Sequence, residues 1–259
     1  MRLEDKIVLI TGSTTGIGEA AARLCVAEGA KVMIHGRNEE RAKALCAQLG
    51  PNADYVLADL AQAESAAKLV DATMDRFGSI DIVVNNAAVT TRGNLESTDA
   101  AAFDWITAIN LRAPLLIIRE AVREFRRKGG GVVLNIGSVN GLSGEPNLLV
   151  YSTAKGGLMT LSRNLANALA TEHIRVNHLN VGWVTTPNEI ALKIKEGMTP
   201  GWENRVPPEY APTGRLLTPE EVARHILFWI SDESAPANGA VYELEQYSMI
   251  GRNVSRSFE

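Results

Sequence analysis

Cysteine is scarce in this chain, which has two, Cys25 and Cys46, among 259 residues. A single pair cannot build the disulfide framework of a small secreted domain. Neither cysteine belongs to a metal-ligand spacing, and both lie among alanines and leucines, as small apolar core residues do. We therefore predict neither a disulfide scaffold nor a metal site.

Long apolar runs and an excess of one charge are also missing. The apolar segment from Ile7 to Ile10 is too short for the core of a signal peptide or for a membrane span. The net charge is -4, and no stripe of Lys and Arg suits a nucleic-acid backbone or an anionic membrane. Because 46% of the residues are hydrophobic, the chain can build a sizeable core. We expect a cytoplasmic protein.

Short β-branched runs alternate with longer helical patterns, which is typical of βαβ units in a parallel sheet. The predicted strands are 7–10, 31–35, 53–58, 80–85, 131–137, 175–180 and 240–243. The predicted helices are 17–28, 39–49, 62–77, 99–127, 152–172 and 219–231. Right-handed crossovers would place helices on both faces of the sheet. The sequence therefore predicts an α/β, three-layer, doubly wound Rossmann fold with a central parallel seven-stranded sheet.

No linker or internal repeat divides the chain, so we predict a single domain over 1–259. The segment 187–217 is rich in proline and glycine and lies between the last two predicted strands. A loop of this length within a compact domain is usually functional, and we predict that it is a substrate lid with a short helical turn near 188–196. The tail from Arg252 to Glu259 is expected to be mobile.

A glycine-rich turn joins the first predicted strand to the first helix. Glycine lets the backbone turn tightly and approach a pyrophosphate, and it lets the helix pack close to the sheet. The helix N-terminus offers unpaired N–H groups and the positive end of its dipole to phosphates. We therefore predict a dinucleotide site formed by Gly12, Ser13, Thr14, Thr15, Gly16, Ile17 and Gly18.

The end of the second strand carries no carboxylate and reads His35-Gly36-Arg37-Asn38. Dinucleotide folds that prefer NAD place an acid here for the ribose 2′-hydroxyl, whereas arginine suits the 2′-phosphate of NADP. A cation just before the next helix opposes the helix dipole, which an anionic ligand would explain. Arg37 and Asn38 are therefore predicted to bind the cofactor, with NADP favoured and NAD as the alternative.

Further motifs follow in a fixed order along the chain. They are Asp59-Leu60, Asn85-Asn86-Ala87-Ala88, Asn110 on the long fourth helix, Ser138 at the end of the fifth strand, and Tyr151-Ser152-Thr153-Ala154-Lys155. Together with the glycine turn, they resemble the short-chain dehydrogenase/reductase family over about residues 5 to 245. A YxxxK sequence alone arises by chance, but in order with the other motifs it is specific.

The resemblance implies an NAD(P)-dependent oxidoreductase that acts on a carbonyl or a secondary alcohol. It assigns the catalytic roles to Asn110, Ser138, Tyr151 and Lys155. It assigns cofactor contacts, around the adenine and the ribose, to Asp59, Leu60, Asn86, Ala87 and Ala88. The long helices at 99–127 and 152–172 match those that build dimers and tetramers in the family, so a homo-oligomer, such as a homotetramer, is expected.

The sequence departs from the family pattern in three places. Position 15 is threonine, where members that prefer NADP often carry a second basic residue. Val181 replaces the usual proline while Gly182 keeps the sharp turn, after which Val184 and Thr186 would meet the nicotinamide carboxamide. The usual Asp-Gly-Gly near the C-terminus is replaced by Glu245-Gln246-Tyr247-Ser248.

Tyr151 and Lys155 are four residues apart and so lie on one face of a helix. A free tyrosine titrates near 10, and an adjacent ammonium would lower that pKa by roughly 1 to 3 units, with oxidised nicotinamide adding to the effect. Tyr151 is therefore predicted as general acid and base, and Ser138 as the donor to the substrate oxygen. Lys155 would also hold the nicotinamide ribose. The resemblance implies that Asn110 holds a water molecule that relays protons to Lys155.

The substrate is less well specified by the sequence. Asn140, Glu145 and Asn147 could bind a hydroxylated substrate such as a sugar or polyol, or they could be ordinary turn residues. Trp183 could line the pocket or pack beneath the lid. A small ketone is a further possibility for the substrate, and a catalytically silent NAD(P)-binding sensor or scaffold is the alternative function. The complete Asn-Ser-Tyr-Lys set argues against the sensor.

Overall fold

The structure, a computed structural model, describes residues 1–247, so the tail from Arg252 to Glu259 lies outside the described residues. The strands are β1 (Ile7–Ile10), β2 (Lys31–Gly36), β3 (Ala53–Leu57), β4 (Ile82–Asn85), β5 (Gly131–Ser138), β6 (Ile174–Val181) and β7 (Val241–Leu244). The helices are α1 (Gly16–Ala27), α2 (Glu39–Leu49), α3 (Ser65–Phe77), α4 (Ala100–Thr107), α5 (Ala113–Lys128), α6 (Asn140–Ser143), α7 (Leu149–Leu169), α8 (Pro187–Lys195) and α9 (Pro219–Ile230).

The seven strands form one parallel sheet in the order β3-β2-β1-β4-β5-β6-β7. The chain runs outward from β1 to β2 and β3, then returns to place β4 on the other side of β1. This reversal opens a crevice between the carboxyl ends of β1 and β4, where doubly wound sheets bind ligands. The predicted α/β fold with a parallel seven-stranded sheet is confirmed.

Apolar side chains on the two faces of the sheet build two separate cores. Val8 and Ile10 of β1 belong to the core formed with α1, α2 and α9. Leu9, between them, belongs to the core formed with α3, α5 and α7. All four residues of β1 are buried, which explains why the central strands read as continuous apolar runs instead of alternating patterns.

Local sequence fixes the ends of the helices that border the crevice. The Asn38 side chain accepts a hydrogen bond from the Arg41 backbone N–H (2.8 Å) and caps α2. Thr218 and Glu221 form a reciprocal capping box at the start of α9. Gly129 ends α5 in the left-handed conformation that glycine adopts most readily.

The predicted fourth helix is interrupted by a π-helical turn over Ala108–Arg112. Hydrophobic periodicity does not reveal one such turn inside a long helix. The helix spanning 100–128 is also the one among residues 1–247 that is long and apolar enough to cross a membrane by length and composition. Much of that stretch is buried, and α5 packs against α3, as expected for a core helix.

Two buried histidines tie the strand ends together. The Gly12 N–H donates to His35 Nδ1 (3.0 Å), so His35 Nε2 carries the proton that it donates to the Ala58 carbonyl (3.1 Å). In the sheet interior, His178 Nδ1 lies 3.1 Å from the Ser162 hydroxyl oxygen. Burial lowers the pKa of both histidines to about 4, so both are neutral at pH 7.

These two histidines make the protein sensitive to acid. Because their pKa is lower in the folded chain than the ordinary 6.5, stability is complete above pH 6.5 and is lost as the pH falls towards 4. We expect up to about 3 kcal/mol of lost unfolding free energy per histidine across this window. Denaturant titrations at about pH 7 and pH 4.5 measure it. His178→Asn should reduce the loss and exposed His173→Asn should not; equal losses in all three proteins would contradict this prediction.

Candidate active site

A cleft of about 1150 Å³ runs along the carboxyl ends of the strands. The glycine turn after β1 lines one end, and Tyr151 lies further along with the lid segment, which we define as residues 187–217. The volume exceeds the roughly 300–1,000 Å³ of a typical small-ligand pocket. The cleft therefore has room for an extended cofactor and a substrate side by side.

The glycine turn is shaped for close approach of a phosphate. Gly12 has a φ of +64°, and a Cβ there would lie 2.8 Å from the Cα of Ala87. A Cβ on Gly18 would lie 2.4 Å from the Gly12 carbonyl oxygen. The Asn86 amide donates to the Gly12 carbonyl (3.1 Å) and to that of Thr11 (2.9 Å), which fixes the turn against β4. The turn and the N-terminus of α1 behind it fit a dinucleotide.

Most of the residues predicted to bind the cofactor line this cleft. They are Gly12, Thr14, Thr15, Gly16, Ile17, Arg37, Asn38, Asp59, Leu60, Asn86, Ala87, Ala88, Tyr151, Lys155, Gly182, Val184 and Thr186. Ser13 and Gly18 do not line the cleft, because both are buried behind the turn. The Ser13 hydroxyl donates to the Ile10 carbonyl (2.7 Å) and accepts from the His35 N–H (3.0 Å), so it holds the turn from behind.

Two arginines line the cleft at the end of β2. Arg37 follows the strand and Arg41 lies in the first turn of α2. Neither guanidinium makes a hydrogen bond or an ion pair with any residue in 1–247. The sequence analysis predicted Arg37 but not Arg41. The two arginines are four residues apart around the start of α2, a spacing that could have indicated that they act together.

Ser138, Tyr151 and Lys155 meet at the base of the cleft. Ser138 ends β5, and the other two occupy the first two turns of α7, where all three are buried. The Ser138 hydroxyl is near enough to the Tyr151 phenol to lower its pKa. The Lys155 Nζ donates to the Ile136 carbonyl (2.7 Å) and lies 5.8 Å from the centre of the Tyr151 ring. The three side chains are therefore brought together as their positions in the sequence predict.

Asn110 does not line the cleft. Its side chain is fully buried in the π-helical turn, where Oδ1 accepts from the Val89 N–H and Nδ2 donates to the Val89 carbonyl, both at 2.9 Å. This pair of hydrogen bonds anchors the chain that follows β4. A water held for Lys155 would therefore bind the Asn110 backbone and not its side chain.

The charges at the base of the cleft differ from the expectation. Burial raises the pKa of Tyr151 above its ordinary 10, the Ser138 hydrogen bond opposes this, and the negative charge of Glu189 adds to it. The expected lowering of this pKa by Lys155 is absent in the chain alone, because Lys155 has a pKa of about 8 and is neutral at the pH where the phenol ionises. Burial lowers the pKa of Lys155 itself to about 8, and no carboxylate within residues 1–247 pairs with it.

Comparison with known proteins decides the family. Residues 12–245 match the family described as enoyl-(acyl carrier protein) reductase. An uncharacterized oxidoreductase of Thermotoga maritima is 36% identical over 95% of this chain and 98% of its own. Levodione reductase of Leifsonia aquatica is 33% identical over 94% of each chain. The crystal structure of a 3-ketoacyl-(acyl-carrier-protein) reductase from Brucella melitensis complexed with NADH superposes with a TM-score of 0.84, at 30% identity over 94% and 98% of the two chains.

The chain belongs to the short-chain dehydrogenase/reductase family. It is accordingly an NAD(P)-dependent oxidoreductase, as the motifs predict. The individual roles of the site residues stay predictions.

The lid segment of this short-chain dehydrogenase/reductase packs an aromatic cluster over the substrate end. Trp183 lines the cleft and stacks on Trp202 (ring centres 5.2 Å apart), with Tyr210 edge-on at 6.2 Å. Both alternatives for Trp183 therefore hold, since it lines the pocket and also packs beneath the lid. Asn140, Glu145 and Asn147 line the cleft as well.

Two carboxylates at the substrate end were missed by sequence reasoning. Glu189 accepts a hydrogen bond from the Trp183 indole N–H (2.9 Å). Glu245 lies against Gly182, where a Cβ would approach its Oε2 to 1.9 Å, and burial raises the pKa of Glu245. The replacement of the family's usual Asp-Gly-Gly was the signal for Glu245, whereas α8 alone brings Glu189 to the cleft.

The buried charge of Lys155 should lower the free energy of unfolding, so a neutral side chain at this position should raise it. Because the pKa falls from 10.5 to about 8, the charged form is disfavoured in the folded chain. We expect Lys155→Met to raise the free energy of unfolding at pH 7 by about 1–3 kcal/mol while turnover is lost. Denaturant titration measures the change, and exposed Lys195→Met is the control. A Lys155→Met protein less stable than the wild type would contradict this prediction.

Proposed function

We propose that this enzyme transfers a hydride between NADP(H) and the carbon of a carbonyl or secondary alcohol in a small polar substrate. The observation that carries the proposal is the burial of Ser138, Tyr151 and Lys155 in one cleft, where no carboxylate within residues 1–247 pairs with the ammonium. Perturbed titratable groups of this kind in a cleft mark a functional site. NAD(H) is the alternative cofactor.

The residues that would hold the cofactor follow the length of the cleft. The glycine turn would bind the pyrophosphate, Asp59 and Leu60 the adenine, and Val184 with Thr186 the nicotinamide carboxamide. When bound, the nicotinamide supplies hydride transfer and, in its oxidised form, a positive charge.

The chain's own groups would then handle the proton. In reduction, Tyr151 donates its proton to the substrate oxygen while the Ser138 hydroxyl donates a hydrogen bond to the same oxygen. Lys155 holds the nicotinamide ribose and stabilises the phenolate that remains. Asn110, with its side chain committed to Val89, would join a proton relay through its backbone at the π-helical turn. In oxidation the same groups act in reverse.

The preference for NADP rests on Arg37 and Arg41. Both line the cleft where the adenosine ribose of a dinucleotide would lie, and neither is paired within residues 1–247. A 2′-phosphate would give two cations a partner, which a 2′-hydroxyl would not. The two arginines therefore support a preference for NADP, although position 15 is threonine and not the second basic residue of many NADP-preferring members.

Substrate polarity and assembly complete the proposal. Asn140, Glu145 and Asn147 line the cleft and favour a hydroxylated substrate, such as a sugar, a polyol or a small hydroxyketone. Phe103 and Leu115 are large apolar side chains exposed on α4 and α5, which favours burial in a homo-oligomer. Such an enzyme would work in the cytoplasm.

Replacing the phenol tests the chemistry directly. Tyr151→Phe should lower turnover of carbonyl substrates by about 1000-fold or more, because the only proton donor proposed for the substrate oxygen is gone. NADPH binding, followed by fluorescence, should stay within about twofold. Tyr242→Phe, outside the cleft, is the control. Retained turnover in Tyr151→Phe would refute the assignment, and NADPH binding without oxidation by any carbonyl in a broad panel of wild-type assays would favour a sensor.

Replacing the arginines tests the cofactor preference. Arg37→Ala should raise the Michaelis constant for NADPH by about 10-fold, and the Arg37→Ala/Arg41→Ala pair by about 100-fold, because charge-assisted bonds to a phosphate are lost. The constant for NADH should change by less than about threefold. Steady-state kinetics with both cofactors provide the comparison. Equal changes for NADPH and NADH would mean that these arginines do not read the 2′-phosphate.

A further inference from the structure

Glu189 lies on the lid segment and is fixed in orientation at the reacting end of the cleft. Its backbone N–H donates to the Thr186 hydroxyl that caps α8 (3.2 Å), and its Oε1 accepts from the Trp183 indole N–H (2.9 Å). Glu189 and Tyr151 both line the cleft, and the carboxylate is near enough for its charge to act on the phenol. A substrate whose oxygen meets Tyr151 would therefore share one cleft with this carboxylate.

No cation neutralises Glu189 in the part of the chain that the structure describes. Lys193, one turn along α8, binds Glu196 instead (2.8 Å). Arg92, on the opposite side of the cleft, binds the same Glu196 (2.9 Å). Lys155 lies beneath the phenol and donates to a backbone carbonyl. The substrate end thus presents a carboxylate with one oxygen available. Lys193 also lies over the Trp183 ring (5.7 Å), and it shares the single carboxylate of Glu196 with Arg92.

We infer that Glu189 determines substrate specificity by selecting a hydrogen-bond donor, a hydroxyl or an ammonium group, on the carbon next to the reacting carbon. The inference rests on the proposed function. The Trp183 N–H occupies Oε1, so Oε2 would accept the substrate's donor in a charge-assisted hydrogen bond. A substrate carboxylate in the same place would meet the like charge of Glu189 and would bind less well than a hydrogen-bond donor.

Four cyclic alcohols that differ only at carbon 2 test this selection: cyclohexanol, cyclohexane-1,2-diol, 2-aminocyclohexanol and 2-hydroxycyclohexanecarboxylate. Each loses a hydride to NADP⁺ and its hydroxyl proton to solvent, giving the ketone, NADPH and H⁺. In the wild type we expect kcat/KM for the diol or the protonated amino alcohol to exceed that for cyclohexanol by about 10-fold or more. The kcat/KM for 2-hydroxycyclohexanecarboxylate should be about 10-fold below that for cyclohexanol. The ranking of the diol against the amino alcohol shows which donor the site prefers.

Glu189→Gln is the matched variant, because its amide oxygen can still accept from Trp183 while the charge is gone. In this variant, the kcat/KM values for the amino alcohol and the carboxylate should lie within about threefold of each other. The substitution should also move the ionisation of Tyr151 to lower pH, because the negative charge of Glu189 raises that pKa. Glu209→Gln is the control, since Glu209 lies in the same lid segment but is exposed and outside the cleft lining.

A binding measurement separates this inference from the chemistry. In the NADP⁺ complex of Tyr151→Phe, calorimetry should show cyclohexylamine binding at least about 10-fold more tightly than cyclohexanecarboxylate, and the Glu189→Gln substitution should abolish the difference. Selective binding without wild-type turnover would overturn the proposed function alone. Turnover with the same substrate ranking in the wild type and in Glu189→Gln, or equal binding of the amine and the acid, would overturn the inference alone.

Discussion

The ammonium of Lys155 is buried at the base of the cleft, and within residues 1–247 its hydrogen-bond partner is the Ile136 carbonyl. A buried ammonium without a carboxylate partner destabilises the folded protein. Its position follows from β5 and α7, the same two elements that bring Ser138 and Tyr151 together. Because one strand and one helix hold Ser138, Tyr151 and Lys155, the proposed reaction has a single place in the cleft.

Charge changes sign along the cleft. Arg37 and Arg41, which are unpaired within residues 1–247, line the cleft at the end of β2, Lys155 is buried at its base, and Glu189 of α8 lines it as well. Between the arginines and the lysine, the glycine turn offers backbone N–H groups to a pyrophosphate without adding a charged side chain. An anionic dinucleotide would therefore enter in one orientation, while a substrate that donates hydrogen bonds would suit the opposite end.

The sequence predicted the seven strands because each is a short apolar, β-branched run between helical patterns, and it predicted Tyr151 and Lys155 as neighbours because a spacing of four fixes one helix face. It did not predict the π-helical turn at Ala108–Arg112, which leaves the hydrophobic period almost unchanged. The raised pKa of Tyr151 depends on burial and on the negative charge of Glu189, neither of which a linear spacing contains. Glu189 reaches the cleft through the placement of α8, which tertiary packing decides.

Burial and, in the proposed mechanism, a bound cofactor both act on the ionisation of the Tyr151 phenol. Carbon-13 NMR of protein labelled at tyrosine Cζ follows this ionisation, and a spectrum of Tyr151→Phe assigns the signal. Without nucleotide, burial should hold the pKa above its ordinary value of 10. With NADP⁺ bound, the positive nicotinamide should lower that pKa by roughly 1 to 3 units. An unchanged pKa in the two states would contradict the proposal that the bound cofactor makes this phenol a base.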